Sequence, residues 1–346
     1  MHMGTTQYRK EIDYTICPVG NATYLAVNNG SLAEDLHAIS VDPVRLQTRE
    51  PEHWKEHFTY QNDRLFREGG NVPPIWAKSR GEDVVLIGLN IIEQRQSIIV
   101  RKDSEIRTVA DLKGRTLGIV TYPGGVIDFM KASEEQGFEI ALKANGLTKD
   151  DVAWKIVEDP RYLDNQPSRG KDFSHNAGVT ALLSGEVDAI YSRPTLPGRP
   201  DGKDLRVLYD IAFDQTDLVP VNNQYPNVLT VSGRLAREEP RIVIEFLKSV
   251  LRAARWARLN RIEAEKLLAE QTYTTVEEFH EAFGKDFYQR LEPNFSTEGL
   301  KALQNRADFL YSHGYLESKV DVYSWADPFF LTEAQLEIEK EAGATA

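Results

Sequence analysis

Short apolar runs alternate with longer amphipathic segments through the first two thirds of this chain of 346 residues. A short apolar run bounded by turn residues is typical of a buried strand, whereas apolar residues repeated every three or four positions indicate a helix. The alternation predicts an α/β fold with mostly parallel sheets. The predicted strands are Ile12–Cys17, Ala38–Val41, Val84–Leu89, Ser97–Val100, Thr116–Val120, Val187–Ser192, Leu205–Asp210 and Val228–Val231.

The predicted helices lie between these strands and fill most of the last third of the chain. Pro240 opens a long periodic segment that runs to about Glu270, since proline is favoured in the first turn of a helix. The other predicted helices are Asn21–Ser31, Val72–Ser79, Gly125–Ala144, Asn176–Ser184, Val276–Phe283 and Glu298–His313.

Length and charge limit the class of protein. A single hydrophobic core stops growing at roughly 250 to 300 residues, so two lobes are expected. The formal net charge of −12 argues against nucleic-acid binding, which needs a basic surface, but it allows a small anionic ligand. No apolar run is long enough to span a membrane, and the polar N-terminus does not resemble a signal peptide. With one cysteine and no intrachain disulfide, we expect a cytoplasmic protein.

That cysteine, Cys17, ends the first predicted strand, where α/β proteins place ligand-binding and nucleophilic groups. Taken alone, Cys17 is more simply interpreted as a buried core thiol, and the residues downstream reverse that interpretation. His57 and Arg67 are residue types that stabilise a thiolate. The pair Gly69-Gly70 precedes a predicted helix, so backbone N–H groups can approach an anion there. Together these residues predict a cradle for a small oxyanion.

Two segments resemble the recurring signatures of type II periplasmic-binding-protein folds: residues 108–120 (TVADLKGRTLGIV) and residues 178–191 (GVTALLSGEVDAIY). The resemblance implies a two-lobed fold with a ligand cleft between the lobes and a helical C-terminal segment. Residues 1–100 and 226–346 would form the first lobe, which carries the cysteine, and residues 101–225 the second. The chain would cross between lobes near Val100–Asp103 and near Val219–Asn227.

Residues 14–22 (YTICPVGNA), 57–60 (HFTY) and 67–75 (REGGNVPPI) resemble the active-site segments of the hydroxybiphenyl sulfinate desulfinase family. That family has the binding-protein fold but hydrolyses a carbon–sulfur bond. The similarity continues to residues 325–331 (WADPFFL). In the family the cysteine is the essential thiol, the histidine orients or activates it, and the arginine and second glycine bind the sulfinate. The resemblance implies these roles for Cys17, His57, Arg67 and Gly70.

Further candidates for substrate contact are Asn21, Phe58, Tyr60, Tyr122 and Arg193. The first three lie close to the proposed site in sequence, and Phe58 and Tyr60 are expected to form an aromatic wall. Tyr122 begins a Tyr-Pro-Gly-Gly turn before a helix of the second lobe. Arg193 follows a predicted strand, where it would face a second polar group of the substrate or pair with a nearby carboxylate.

A metal site is not predicted. His53 and His57 have the spacing of a zinc pair, but Trp54 stands where a zinc protease carries its glutamate, and no third ligand follows.

The sequence therefore predicts a cofactor-independent, monomeric cysteine desulfinase that releases sulfite from a small anionic aromatic substrate. Two mechanisms stay open: Cys17 attacks the sulfinate sulfur as a thiolate, or its thiol protonates the ring carbon. A solute-binding protein for sulfonate, nitrate or taurine is one alternative, and an aromatic decarboxylase on the same fold is another. The biphenyl substrate itself is not transferred, because residues 120–150, the loop before Lys171 and residues 192–194 (SRP) depart from the family.

Overall fold

The structure is a computed structural model that describes residues 10–92, 94–159, 177–192, 204–211, 222 and 225–344. These residues form two five-stranded sheets flanked by helices. The predicted α/β class is therefore confirmed. Across the same ranges, no helix combines the length and the apolar character needed to cross a membrane.

The first sheet has the strand order β2-β1-β3-β10-β4. Strands β1, β2 and β3 are parallel, whereas β10 runs antiparallel to both β3 and β4. The strands are β1 Lys10–Ile16, β2 Val41–Arg45, β3 Leu65–Gly69, β4 Val84–Asn90 and β10 Asn227–Ser232.

The second sheet has the order β7-β6-β8-β5-β9, with β5 antiparallel to its neighbours. Its strands are β5 Ser97–Arg101, β6 Thr116–Thr121, β7 Ala153–Glu158, β8 Ala189–Ser192 and β9 Leu205–Asp210. Since β5 already belongs to this sheet, the chain first changes sheets between Asn90 and Ser97, earlier than expected. Most of the expected second crossing, near Val219–Asn227, lies outside the described residues.

The helices cover both sheets and form most of the C-terminal third. They are α1 Ala22–Asn28, α2 Ser31–Ala38, α3 Glu56–Thr59, α4 Val72–Ser79, α5 Phe129–Ala144, α6 Ala177–Leu183, α7 Gly233–Glu238, α8 Pro240–Leu259, α9 Arg261–Gln271, α10 Val276–Phe283, α11 Thr297–Ser312, α12 Val322–Trp325 and α13 Phe329–Ala344.

Several sequence predictions need correction. Both sheets are mixed rather than mostly parallel, because apolar patterning does not specify strand direction. Strands β3 and β7 were not predicted, since charged residues interrupt the apolar run of β3 and β7 is an edge strand that alternates with polar residues. The helix predicted over Asn21–Ser31 divides into α1 and α2 at Gly30, whose φ is 83°. The long helix from Pro240 breaks at Asn260 into α8 and α9.

The first sheet has a hydrophobic core on each face. Helices α1, α2 and α8 cover one face, where Phe66 and Phe246 stack with their ring centroids 3.9 Å apart. The other face packs against residues of α4 and α11. The second sheet has its own core, in which Phe138 of α5 is fully buried. Separate cores explain the two lobes, which we call the first lobe and the second lobe after their sheets.

A buried polar contact joins the two lobes. Arg306 of α11 in the first lobe is fully buried, and its guanidinium donates to the carbonyl oxygen of Ala132 (3.2 Å), to Ser133 Oγ (3.2 Å) and to the side chain of Gln136, all on α5 of the second lobe. His313 Nε2 lies 2.8 Å from Glu139 Oε1 on the same helix. We call this contact between α11 and α5 the lobe bridge.

Candidate active site

Cys17 is the first residue after β1 and is partly exposed. Its N–H donates to the carbonyl oxygen of Glu68 on β3 at 3.0 Å. Its own carbonyl oxygen accepts from the N–H of Val19 at 2.8 Å and from Gln271 Nε2 at 3.0 Å. The backbone of Cys17 is thus fixed on both sides, and its thiol is held at the carboxyl end of the first sheet.

His57 and Arg67 both reach the thiol. His57 Nε2 lies 3.5 Å from Cys17 Sγ, and Arg67 Nη2 donates to the same sulfur at 3.5 Å. Arg67 Nη2 and His57 Nε2 are 3.3 Å apart, so the three groups form a nearly equilateral triangle. His57 is 2% exposed and Arg67 1% exposed. The structure therefore brings together the three residues that the sequence predicted to be catalytic.

The guanidinium of Arg67 is held by the backbone of the loop that follows it. Arg67 Nη1 donates to the carbonyl oxygen of Gly70 at 2.8 Å. Thr230 Oγ1 donates to the carbonyl oxygen of Arg67 at 3.2 Å and is 2.5 Å from the hydroxyl of Tyr60. Gly70 therefore holds the guanidinium of Arg67, and Tyr60 reaches the Arg67 carbonyl oxygen through Thr230; substrate contact by Gly70 and Tyr60 stays a prediction.

His57 is neutral in this environment. Burial, reinforced by the positive charge of Arg67, holds the pKa of His57 well below its usual value. The other ring nitrogen, Nδ1, lies 2.9 Å from Thr15 Oγ1, and Gln47 Nε2 donates to that hydroxyl at 2.8 Å. The positive charge beside the thiol therefore comes from Arg67 and not from an imidazolium.

Gly69 is the point of closest approach between β3 and the thiol. A Cβ atom at this position would lie 2.2 Å from Cys17 Sγ and 2.6 Å from Cys17 Cβ. Only a residue without a side chain allows the thiol to sit against the strand that carries Arg67.

Glu68 is a buried carboxyl group that the sequence interpretation missed. It is 1% exposed, and it accepts hydrogen bonds from the N–H of Thr23 at 3.0 Å and from Asn90 Nδ2 at 3.1 Å. Burial raises the pKa of Glu68 to about 7. It binds the N-terminus of α1, the helix that follows the Cys17 loop, on the sheet face opposite Arg67. A strand prediction for residues 65–69 would have revealed this alternation of Arg67 and Glu68.

The aromatic residue Phe58 lies beside the three residues predicted to be catalytic. It packs edge-on against His57 with ring centroids 4.7 Å apart, and it stacks on Phe129 of the second lobe at 6.4 Å. Phe58 is 2% exposed, so it forms part of the wall behind His57 and connects that wall to the second lobe.

Asn21 and Tyr122, which were also predicted to contact substrate, both contribute to helix starts. Asn21 caps α1: its Oδ1 accepts from the N–H of Tyr24 at 2.9 Å, and its Nδ2 donates to the carbonyl oxygen of Val19 at 2.9 Å. The N–H of Tyr122 donates to Asp128 Oδ2 at 2.9 Å, and Asp128 caps α5. The carboxylate of Asp128 thus already occupies the helix N-terminus that was expected to face an anion. Arg193 lies outside the described residues.

Metal coordination finds no support in the described ranges, where no group of three or more histidine, cysteine or acidic residues is placed to hold an ion. His53 is half exposed and contacts Glu56 at 2.8 Å. It does not share the buried environment of His57.

Known proteins resemble this chain in sequence and in fold. Residues 73–156 match the family model described as NMT1/THI5 like. The chain is 27% identical over 355 residues to a 2'-hydroxybiphenyl-2-sulfinate desulfinase of Rhodococcus erythropolis, a match that covers 94% of each chain.

Two solved structures extend the comparison to the fold. One is a cysteine-to-serine mutant of the enzyme DSZB in complex with biphenyl-2-sulfinic acid, with a TM-score of 0.77, 25% identity, and coverage of 95% of this chain and 99% of that one. The other is the periplasmic aliphatic sulphonate binding protein SsuA of Escherichia coli, with a TM-score of 0.62, 20% identity, and coverage of 92% and 97%. In sequence and in fold, the chain is a relative of the 2'-hydroxybiphenyl-2-sulfinate desulfinases.

Proposed function

We propose that this protein is a cysteine desulfinase that hydrolyses the carbon–sulfur bond of an aromatic sulfinate and releases sulfite. The observation that carries the proposal is the triangle of Cys17, His57 and Arg67, in a chain similar to a desulfinase over nearly its whole length. A partly exposed thiol in contact with a guanidinium is suited to covalent chemistry on an anion.

The proposed reaction has two steps. The Cys17 thiolate attacks the sulfinate sulfur, the aryl carbon leaves with the bonding electrons and takes up a proton, and an SO₂ group stays bound to the cysteine sulfur. Water then attacks that group, hydrogen sulfite leaves, and the thiolate is restored. The net change consumes one sulfinate and one water and yields one arene and one hydrogen sulfite, without an oxidant or a cofactor.

The arrangement around the sulfur favours Cys17 as nucleophile over Cys17 as acid. Arg67 is always a hydrogen-bond donor, and it points one N–H at Sγ, as suits an anionic sulfur. The N–H groups of Arg67 that Gly70 and the thiol leave unused can donate to a sulfinate oxygen.

Phe58 and Phe129 support an aromatic substrate. Phe129 is partly exposed and stacks on buried Phe58 beside His57, so an aryl group bound between the lobes would find an aromatic surface to pack on. We further propose that the second lobe covers the site and that the enzyme is a monomer. We propose a cytoplasmic location because the single cysteine must stay reduced.

A solute-binding protein for sulfonates is the competing function, and the likeness to SsuA favours it. A desulfinase converts its ligand and releases sulfite, whereas a solute-binding protein releases its ligand unchanged. Purified protein is incubated with a panel of aryl sulfinates, with and without hydroxyl or carboxyl substituents, and sulfite is assayed. Binding of alkanesulfonates is measured by calorimetry, with Cys17→Ser as the control. Release of sulfite that depends on Cys17 supports the desulfinase. Tight sulfonate binding without sulfite release from any member of the panel overturns it.

A further inference from the structure

A chain of hydrogen bonds runs from the protein surface to the thiol, through Arg45, Gln47, Thr15 and His57. We propose that Thr15 and Gln47 are positioning residues that hold neutral His57 in the tautomer protonated at Nε2, so that His57 donates a hydrogen bond to the Cys17 sulfur instead of removing its proton. The consequence for catalysis rests on the desulfinase function proposed above, whereas the tautomer does not.

The direction of the chain is set at its outer end. Arg45 Nε donates to Gln47 Oε1 at 3.4 Å, and a guanidinium has no acceptor. The amide oxygen of Gln47 therefore faces Arg45, and its Nε2 faces Thr15 Oγ1 at 2.8 Å. The amide orientation follows from its partners on both sides.

The hydroxyl of Thr15 has one hydrogen to give. It accepts from Gln47, and within the part of the chain that the structure describes, its one other recorded partner is His57 Nδ1 at 2.9 Å. Thr15 is 1% exposed, so water does not replace a missing acceptor. If Nδ1 carried the proton, two donors would point at the Thr15 oxygen, and the hydroxyl hydrogen would be buried without an acceptor. Thr15 therefore donates to Nδ1, and the ring proton sits on Nε2.

Arg67 by itself would favour the other tautomer of His57, in which Nε2 carries no proton. Its Nη2 lies 3.3 Å from His57 Nε2 and would favour a bare, accepting nitrogen there. With Nε2 protonated, the two N–H groups instead converge on Cys17 Sγ, each at 3.5 Å, which matches the two-donor site that an anionic sulfur requires. Thr15 and Gln47 decide between these two arrangements.

The test compares Thr15→Val, which keeps the shape but loses the hydroxyl, with Thr15→Ser, which keeps the hydroxyl. Gln47→Leu is the second variant, because it acts one step further from the site and leaves the strand intact. The ring nitrogens of His57 are observed by ¹⁵N NMR in the full-length protein, and the His57→Gln spectrum assigns them among the seven histidines. The rate of Cys17 alkylation by iodoacetamide is measured at pH 7.5 on the same samples.

We expect protonation at Nε2 in the wild type and in Thr15→Ser, and a shift toward protonation at Nδ1 in Thr15→Val and, to a lesser extent, in Gln47→Leu. Alkylation should slow by about tenfold in Thr15→Val and stay within about twofold in Thr15→Ser. Wild-type protonation at Nδ1, or an unchanged tautomer in folded Thr15→Val and Gln47→Leu, overturns the proposal. Neither readout needs substrate, so failure of the sulfite assay would reject the desulfinase function and leave this result standing.

Discussion

Replacing Gly69 by alanine tests how closely the thiol must fit against β3. The added Cβ would lie 2.2 Å from Cys17 Sγ, whereas ordinary contacts begin at 3.4 Å, so the sulfur must retreat by about 1 Å. The backbone of Cys17 has little room to follow, because its N–H and its carbonyl oxygen are both hydrogen-bonded. The sulfur would therefore move relative to Arg67 and His57, each now 3.5 Å away.

We expect Gly69→Ala to fold and to lose turnover by about a hundredfold, since a displacement of about 1 Å at reacting atoms has an effect of that order. Crowding should lower the free energy of unfolding by about 1–3 kcal/mol. Sulfite release and thermal unfolding measure the two effects. Gly343→Ala is the matched control, because nothing lies within 4 Å of a Cβ built at that exposed position of α13.

A double-mutant cycle separates this crowding from a general loss of strand flexibility. Cys17→Gly removes both atoms that the new methyl group would meet, so the same Gly69→Ala change should cost little stability in that background. Equal destabilisation in both backgrounds, or turnover of Gly69→Ala within about threefold of wild type, would refute the close-fit argument.

Three further changes probe the same region. Cys17→Ser should keep the fold and lower turnover by about a thousandfold or more, and near wild-type sulfite release would remove Cys17 from the chemistry. Arg67→Lys should raise KM and lower kcat together, because an ammonium keeps the charge but loses the planar fork that lets one side chain reach Gly70 and an oxyanion at the same time. Both constants within about twofold of wild type would show that Arg67 does not clamp the substrate. For Glu68→Gln, the melting temperature of the variant minus that of the wild type should increase as pH rises from about 5 to 8. The Glu68 carboxyl, with a pKa raised from 4.5 to about 7, binds more protons when folded, so wild-type stability falls across that window; a pH-independent difference would contradict this.

Sequence patterns predicted the candidate site residues better than the strand that carries Arg67. Cys17 could be placed at a strand end because the apolar run before it is uninterrupted. Arg67 was recognised from its motif, but β3 was not predicted, since a buried Arg-Glu pair does not follow apolar periodicity. The pair is tolerated because both charged groups find partners in the fold, Gly70 in the loop just after the strand for Arg67 and Asn90 at the end of β4 for Glu68.

Contacts between residues far apart in sequence account for most of what the sequence could not predict. Thr15 and Gln47 are ordinary polar residues on a strand and in the short turn after β2, and only the parallel pairing of β1 with β2 brings them to His57. Gln271, which fixes the Cys17 carbonyl oxygen, is 254 positions away. Strand direction was likewise not encoded in the apolar pattern, so the antiparallel β10 and β5 were unexpected.

The lobe bridge bears on how this fold relates to transport. A solute-binding protein reports its ligand by changing shape: its lobes close on the solute, and the closed form is the signal. Here the guanidinium of Arg306 is buried between α11 and α5, so separating the lobes would strip it of its partners on α5. A chain whose lobes are joined in this way is poorly suited to report an occupied cleft to a second protein by a change of shape. A buried contact between the lobes is compatible with catalysis, because an enzyme has to bind substrate and release product but does not have to signal to a partner that its site is occupied.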